Sequence, residues 1–433
     1  MKKSVTCSEI RGQIRAPSSK SALQRLVAFS WLASGETEIL NPDYCSDVAA
    51  AIGIIEKLGA SVSRGSSSLI INSSRERYSD PSLQNPGDLQ NIVRLDCGES
   101  GLAIRMFSPV VSLLEGTYEL AAEGSLVSRP TGMITKTLSA FGVKISDNGG
   151  FPPVRISGPL KGGYAVIDGS LSSQILTGLL AALPAAANDS EVKVINLKSR
   201  PYIDMTIELA SRFGCSIENS GYEVFSVKGR QKYKSPGRIE AEGDWSSAAF
   251  LLAAGALAGE VRVVNLRSDS KQADRAVMEV LKACGADIIT GEGYIEARNP
   301  GKPLSAFEFD AADSPDLFPP LAALASRCRG TSVIHGAERL KHKESDRETS
   351  LITEFAKGGV KIESDGRTMK ITGGSGIRGF SGDSHNDHRI AMALAVSALA
   401  GSGKVEIENA QAVSKSWPAF FEDLKSIGGN IDE

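Results

Sequence analysis

The sequence predicts a mixed α/β (α+β) fold of two domains, each made of three copies of one repeat packed around buried helices. Three observations carry that prediction. A chain of 433 residues is too long for one ordinary domain. One phrase, a helical run ending in glycine followed by a β-prone pair, recurs six times: KLGASV, AFGVKI, RFGCSI, ACGADI, KGGVKI and SIGGNI. The last copy is cut short, and the start of the chain carries β-prone runs that no repeat claims.

The phrase returns at intervals of roughly seventy residues, longer than the usual solenoid period but read the same way. Its glycine, at positions 59, 142, 214, 285, 359 and 428, suits the residue just past a helix end, where a positive φ meets no Cβ. A β-prone run lies ahead of each of these helices: TEIL, TYEL, VKVI, VRVV, TSVI and VEIE. Ahead of that run lies an Ala/Leu-rich helix, expected to start at Ser18, Gly101, Ser172, Asp244, Asp316 and Asp387. It is apolar nearly all round, so it belongs in a domain core. After the phrase come two short alternating runs joined by a turn, as in GYEVFSVKG and GRTMKITGG. One unit is therefore helix, strand, helix, strand, strand, and six copies in phase argue against chance.

The sixth unit ends at Glu433 without its second strand, while Ser4–Ser8 and Gln13–Arg15 stand unclaimed at the other end. The N-terminus is therefore expected to complete the C-terminal half. Units one to three then occupy 18–237, and units four to six join residues 1–17 to make a domain of 1–17 plus 238–433. The two crossings fall near Ala16-Pro17 and Ser235-Pro236-Gly237, where proline suits a linker.

Composition narrows the function. Hydrophobic residues make up 41 % and charged residues 23 %, with a net charge of −3, which indicates neither a nucleic-acid nor a membrane partner. The start, MKKSVTCSEI, has no apolar run after its lysines, and the most apolar stretches, near Phe250–Ala258 and Ile390–Ala400, are short. Six scattered cysteines without a CxxC read as free thiols in a reducing cytoplasm. Four histidines without metal spacing give no reason to expect a metal.

Reactive residue types collect in two slots of the unit. One is the start of the buried helix. Unit one places Lys20, Ser21 and Arg25 there, unit two Gly98, Gly101 and Arg105, unit three Ser172, Ser173 and Gln174, unit five Asp316, and unit six Asp387, His388 and Arg389. Capping alone accounts for a lone aspartate such as Asp316 or Asp387. Cations at a helix start oppose its dipole and need another reason. The other slot is the loop between the strand and the second helix. It holds Arg129-Pro130, Ser199-Arg200-Pro201-Tyr202, the stretch GAERLKHKESDR from Gly336 to Arg347, and Ser414-Lys415-Ser416. In GAERLKHKESDR, Lys343 and Arg347 are spaced to share a helical face, with Glu344 three residues from Arg347. Two cations beside one carboxylate suit proton transfer on an anionic substrate. Such uneven charge in a slightly acidic chain points to a site for multiply anionic small molecules.

Taken together, KSALQR, SSQ, SRPYID, DWSSAA, PDLFP, KESDR, NDHRIAM and SKSWPAFF resemble the EPSP synthases, the 3-phosphoshikimate 1-carboxyvinyltransferase family, over Lys20 to Phe421. The resemblance implies two domains of three βαβαββ-type units, with the N-terminal strand completing the C-terminal domain. It implies transfer of the enolpyruvyl group of phosphoenolpyruvate to the 5-hydroxyl of shikimate 3-phosphate, by a cytoplasmic monomer with no cofactor. It also implies competition by glyphosate, with Gly101 leaving the space. By the same resemblance Ser21, Arg25, Ser172, Ser173, Gln174, Ser199 and Tyr202 hold shikimate 3-phosphate, and Lys20 and Lys343 bridge the reacting groups. Gly101, Arg129, Arg347, Arg389 and Lys415 hold phosphoenolpyruvate. Asp316 is expected to take the proton of the 5-hydroxyl and Glu344 to protonate the methylene. The family loop usually reads GNAGTAxRP. Here it is GESGLAIRM, so Glu99, Leu102 and Met106 replace Asn, Thr and Pro, and Arg339 stands where many members have Asn. Two other readings are less favoured. UDP-N-acetylglucosamine 1-carboxyvinyltransferases share the chemistry but typically carry Lys-Asn at the Lys20-Ser21 position. A non-catalytic anion-binding repeat protein would have no need of both Asp316 and Glu344.

Overall fold

The computed structural model describes residues 1–73 and 92–433. Among them the strands form six four-stranded sheets of one design. In unit three, Tyr164–Asp168 runs parallel to the central strand Ser190–Ile195, and the hairpin of Glu218–Ser220 and Val224–Val227 adds antiparallel on the other side. The central strand alternates as its residues dictate: Ser190, Val192 and Val194 turn inward, Glu191 and Lys193 outward. The first strand of that sheet precedes the buried helix, so each unit is βαβαββ.

All six repeat glycines have positive φ, between 76° and 106°, as the helix-end reading requires. The buried helices are Lys20–Leu32, Gly101–Val111, Gln174–Ala182, Trp245–Ala258, Phe318–Ala325 and His388–Leu399. Their starts follow the expected residues closely, with Ser19, Ser100, Asp244 and Asp387 accepting hydrogen bonds from first-turn amides. Every residue from Trp245 to Leu257 is buried. Inside such a helix, truncating one leucine to alanine costs about 2–5 kcal/mol.

The chain forms two compact units, Ser18–Ala241 and Met1–Pro17 with Glu242–Glu433. Each has its own core, with three buried helices packed on one another. Lys3–Thr6 pairs antiparallel with both Ser402–Glu408 and Asn430–Asp432, setting Val5 opposite Val405 and Ile431, so the N-terminus supplies the last strand of unit six. Ile10–Arg15 does something the sequence reading did not anticipate: it runs parallel to Gly259–Val264 as the first strand of unit four. Arg238–Glu240, which precedes unit four's own helix, pairs instead with Gly35–Leu40 of unit one. The expected division at 237/238 therefore falls short of this strand, and Ala241 still donates to Leu40 O at 3.1 Å. No helix among the described residues is long and apolar enough to cross a membrane.

Candidate functional site

In the unit Ser18–Ala241 the expected residues gather at the starts of the buried helices and the neighbouring loops. Lys20 opens its helix, where the dipole disfavours a cation, and Asp47 offsets that by taking its Nζ at 2.9 Å. Arg25 is committed to protein acceptors: Thr206 Oγ1 at 2.9 Å, Ser21 O at 2.7 Å, Thr177 Oγ1 at 3.1 Å and Tyr202 O at 3.4 Å. Burial lowers its pKa to about 10. Arg25 thus ties Ser21 to Tyr202. Ser173 and Ser199 are buried, and Ser199 sits in the left-handed region at φ 56°, a conformation that non-glycine residues adopt only where surroundings hold it. Ser172 Oγ accepts from Gln174 N at 3.2 Å, turning the SSQ stretch into its helix.

Arg105 received no role from the resemblance, yet it braces this face. Its Nη1 donates to Gly101 O at 3.1 Å and to Gln174 Oε1 at 3.0 Å, and its Nη2 to Pro130 O at 3.1 Å. Arg129 is buried beside it, and its Nε has no hydrogen-bond partner among the described residues. A Cβ on Gly101 would lie 2.7 Å from Arg105 Nη1 and 2.8 Å from Arg129 Nη2, so a side chain here would have to displace the two guanidiniums. Glu99 proves to be structural. Its Oε2 accepts from both Ser125 N and Ser125 Oγ at 2.8 Å, pinning the turn Gly124–Ser128 that leads to Arg129. Leu102 and Met106 are buried core residues.

In the other unit the loops of units five and six converge on Asp316. Asp316 is not a helix cap. Its Oδ1 accepts from Lys343 Nζ at 3.1 Å and Arg347 Nη1 at 2.6 Å, and its Oδ2 from Arg389 Nη2 at 3.1 Å. Arg347 also donates to Glu344 Oε2 at 2.6 Å and, through Nε, to Asp387 Oδ2 at 2.7 Å. Asp387 caps its helix as expected, accepting from Arg389 N at 2.9 Å, and serves as a counter-ion besides. Lys415, also buried, donates to Asn386 O at 2.7 Å. Arg339 donates to Ala312 O at 3.4 Å, at the edge of this cluster.

The shared helical face foreseen for Lys343 and Arg347 does not form. The helix begins at Arg347, after the 3₁₀ turn Ala337–His342, and Lys343 has extended backbone with φ −92° and ψ −160°. The two cations meet through Asp316 instead. Asp346 caps the helix by accepting from Thr349 N at 3.1 Å, so one first-turn amide is already satisfied within the chain.

Burial alone would raise the Asp316 pKa, but Arg389, Lys343 and Arg347 outweigh it and hold the carboxyl well below the usual range. Burial lowers Lys343 to about 8 despite Asp316 beside it. Burial also works against the Arg347 charge, and Asp387, Glu344 and Asp316 reverse that, so its pKa is raised. Unit four adds residues that the sequence reading passed over. Asp274 is fully buried, bonded to Ser246, and burial raises it to about 7. The cluster is therefore a paired network of cations and carboxylates. It can bind anions by exchanging carboxylate partners for ligand oxygens, and it offers ionised carboxylate at its centre.

The EPSP synthase family model, described as 3-phosphoshikimate 1-carboxyvinyltransferase, matches residues 5–424. The chain is similar to the 3-phosphoshikimate 1-carboxyvinyltransferase of Methanopyrus kandleri, at 38 % identity over 97 % of this chain and 96 % of that one. It is similar to that of Clostridium kluyveri at 35 % identity over 99 % and 98 %. Among solved structures it is similar to EPSP synthase from Acinetobacter baumannii, with a TM-score of 0.80 and 25 % identity over 100 % of this chain and 99 % of that one. With the family model spanning almost the whole chain, and relatives this similar matching along almost all of their own length, the chain belongs to the EPSP synthase family.

Proposed function

We propose that Asp316 and Glu344 move the protons in this chain's reaction, the transfer of the enolpyruvyl group of phosphoenolpyruvate to the 5-hydroxyl of shikimate 3-phosphate with release of phosphate. The observation that carries this reading is Asp316, kept ionised by three cations, with Glu344 joined to it through Arg347.

A neutral hydroxyl attacks C2 only if its proton leaves as the new C–O bond forms, and C2 accepts it only as C3 gains a proton. Asp316 takes the first proton and Glu344 supplies the second. Loss of a proton from C3 and cleavage of the C2–O bond to phosphate then regenerate the enol ether. A carboxylate beneath three cations is a weak base. When the substrate's phosphate and carboxylate draw Arg389 and Lys343 to themselves, Asp316 loses part of that stabilisation and becomes more basic as the site fills. Arg347 holds Glu344 in place, and the developing negative charge falls to Lys20, Lys343, Arg129, Arg389 and Lys415. Ser21, Ser172, Ser173, Gln174, Ser199 and Tyr202 hold shikimate 3-phosphate, with Arg25 fixing Ser21 and Tyr202 and contributing its charge. Gly101 is where phosphoenolpyruvate approaches the backbone. On this reading 18–241 is the shikimate 3-phosphate domain, and 1–17 with 242–433 carries the proton-transfer groups.

Phosphate release from phosphoenolpyruvate tests the assignment, with shikimate 3-phosphate as acceptor and UDP-N-acetylglucosamine as control. Turnover with the first alone is expected, and turnover with the second alone would reverse it. We also read the chain as a cytoplasmic monomer. Six cysteines, none of them in a disulfide among the described residues, support a reducing compartment, and sedimentation velocity at micromolar concentration tests the oligomeric state.

A further inference from the structure

Among the buried carboxyls that the roles above leave unused, Asp274 is one whose side chain keeps an unsatisfied oxygen. Asp274 lies in the 3₁₀ turn Ala273–Ala276, unit four's loop between strand and second helix, and has no exposed surface. Ser246, in the first turn of Trp245–Ala258, donates a hydrogen bond to Asp274 Oδ2. Asp274 Oδ1 is buried and accepts no hydrogen bond among the described residues. The 3₁₀ turn packs on Trp245–Ala258, and that helix packs on His388–Leu399, which carries Arg389. Arg389 shows the complementary deficit: Nη2 reaches Asp316, while Nε and Nη1 are buried and donate to nothing among the described residues. The two side chains act on each other electrostatically, each favouring the other's charged form.

We propose that Asp274 is a positioning residue for Arg389: with Asp316 it balances the buried guanidinium, and it takes up a proton when an anionic substrate group draws that guanidinium away.

An incoming carboxylate or phosphate supplies the acceptors that Nε and Nη1 lack. Arg389 then serves the ligand, and Asp274 is left with Ser246 as its one donor and a new negative charge nearby. An ionised carboxylate without a cation in a dry interior is unfavourable, and a proton removes that cost. The groups facing Asp274 favour this outcome. Asp316 and Asp244 both raise its pKa, and Arg389 is the cation opposing them. Arg275, next in the chain, turns away to donate to Ser268 O at 2.9 Å. Burial, reinforced by Asp316, sets the pKa at about 7, so Asp274 exchanges its proton near neutrality. Binding raises it further. Uptake should therefore appear from about pH 7 upward and fade well below that, where Asp274 already holds the proton before binding.

The inference rests on Arg389 being a phosphoenolpyruvate contact, and the experiment separates the two claims. Phosphoenolpyruvate alone, which cannot turn over without acceptor, is titrated calorimetrically into the full chain at pH 7.5 in buffers of different ionisation enthalpy. The wild type is expected to take up a larger fraction of a proton than Asp274→Asn, and Asp274→Asn is expected to raise KM for phosphoenolpyruvate several-fold with a smaller change in kcat. Ser246→Ala removes the donor that helps keep Asp274 ionised, so it should move the uptake window to higher pH, and this second variant decides the matter if Asp274→Asn does not fold. An unchanged proton count in Asp274→Asn, or an unmoved window in Ser246→Ala, overturns the inference. Arg389→Lys tests the underlying reading: if it leaves phosphoenolpyruvate affinity unchanged, the assignment of Arg389 to that substrate fails instead.

Discussion

Replacing Asp316 with asparagine removes one negative charge from among three cations without changing the shape of the side chain. Lys343, Arg347 and Arg389 lie 3.1, 2.6 and 3.1 Å from its oxygens. Asparagine keeps one acceptor but presents an NH₂ to groups that are themselves all donors. Two consequences follow. The proton acceptor is lost, which costs roughly 10²–10⁴-fold in kcat, or about 3–6 kcal/mol on the barrier at ~1.4 kcal/mol per decade. Lys343 also loses the charge that favours its ammonium form. With its pKa at about 8, it is roughly three-quarters protonated at pH 7.5. Without Asp316 its pKa falls, so the protonated fraction drops and the alkaline limb of activity moves to lower pH. Folding is affected less than full loss of a buried ion pair would imply (about 3–5 kcal/mol). The Asp316 side chain retains 25 % exposure, and Arg347 keeps Asp387 and Glu344. Phosphate release at saturating substrates, followed from pH 6 to 9.5, checks all of this. A variant with kcat within tenfold of wild type and an unmoved alkaline limb would refute the reasoning, because Asp316 would then neither accept the proton nor support Lys343.

Glu344→Gln keeps an acceptor for Arg347 but cannot deliver a proton, so it should bind both substrates with near-normal affinity while kcat falls by roughly 10²-fold or more; near-normal phosphate release would remove Glu344 from the mechanism. Gly101→Ala places a methyl 2.7–2.8 Å from the Arg105 and Arg129 guanidiniums, so it should displace both and raise KM for phosphoenolpyruvate; glyphosate is expected to compete with that substrate in the wild type, and its Ki should rise in the variant. Arg25→Lys cannot span Thr206, Ser21, Thr177 and Tyr202 at once, so KM for shikimate 3-phosphate should rise more than KM for phosphoenolpyruvate, with a loss of about 1–3 kcal/mol in denaturant-measured stability.

Much of this protein is written in local sequence. The six glycines at helix ends, the apolar helices and the alternating strands each depend on residues within one turn or one pleat, so their spacing announces them. The missing strand of unit six was legible too, because a repeat states what it lacks. The two slots where reactive residue types collect could be read because a cation at a helix start or an Arg-Pro in a loop departs from local preference. Tertiary structure alone decided which charges meet. Lys343, Arg347 and Arg389 are 27, 31 and 73 positions from Asp316, and no periodicity links such separations. Glu99 departs from the family loop, and only its bonds to Ser125 show what the carboxylate does, which is to pin a turn. Asp274 passed unnoticed because an aspartate in a polar loop resembles any surface residue, and only packing reveals that it is buried and short of a partner. The exchange of Ile10–Arg15 and Arg238–Glu240 between units has the same cause. A strand's sequence records that one face is buried, but the neighbour that buries it is chosen by the whole fold.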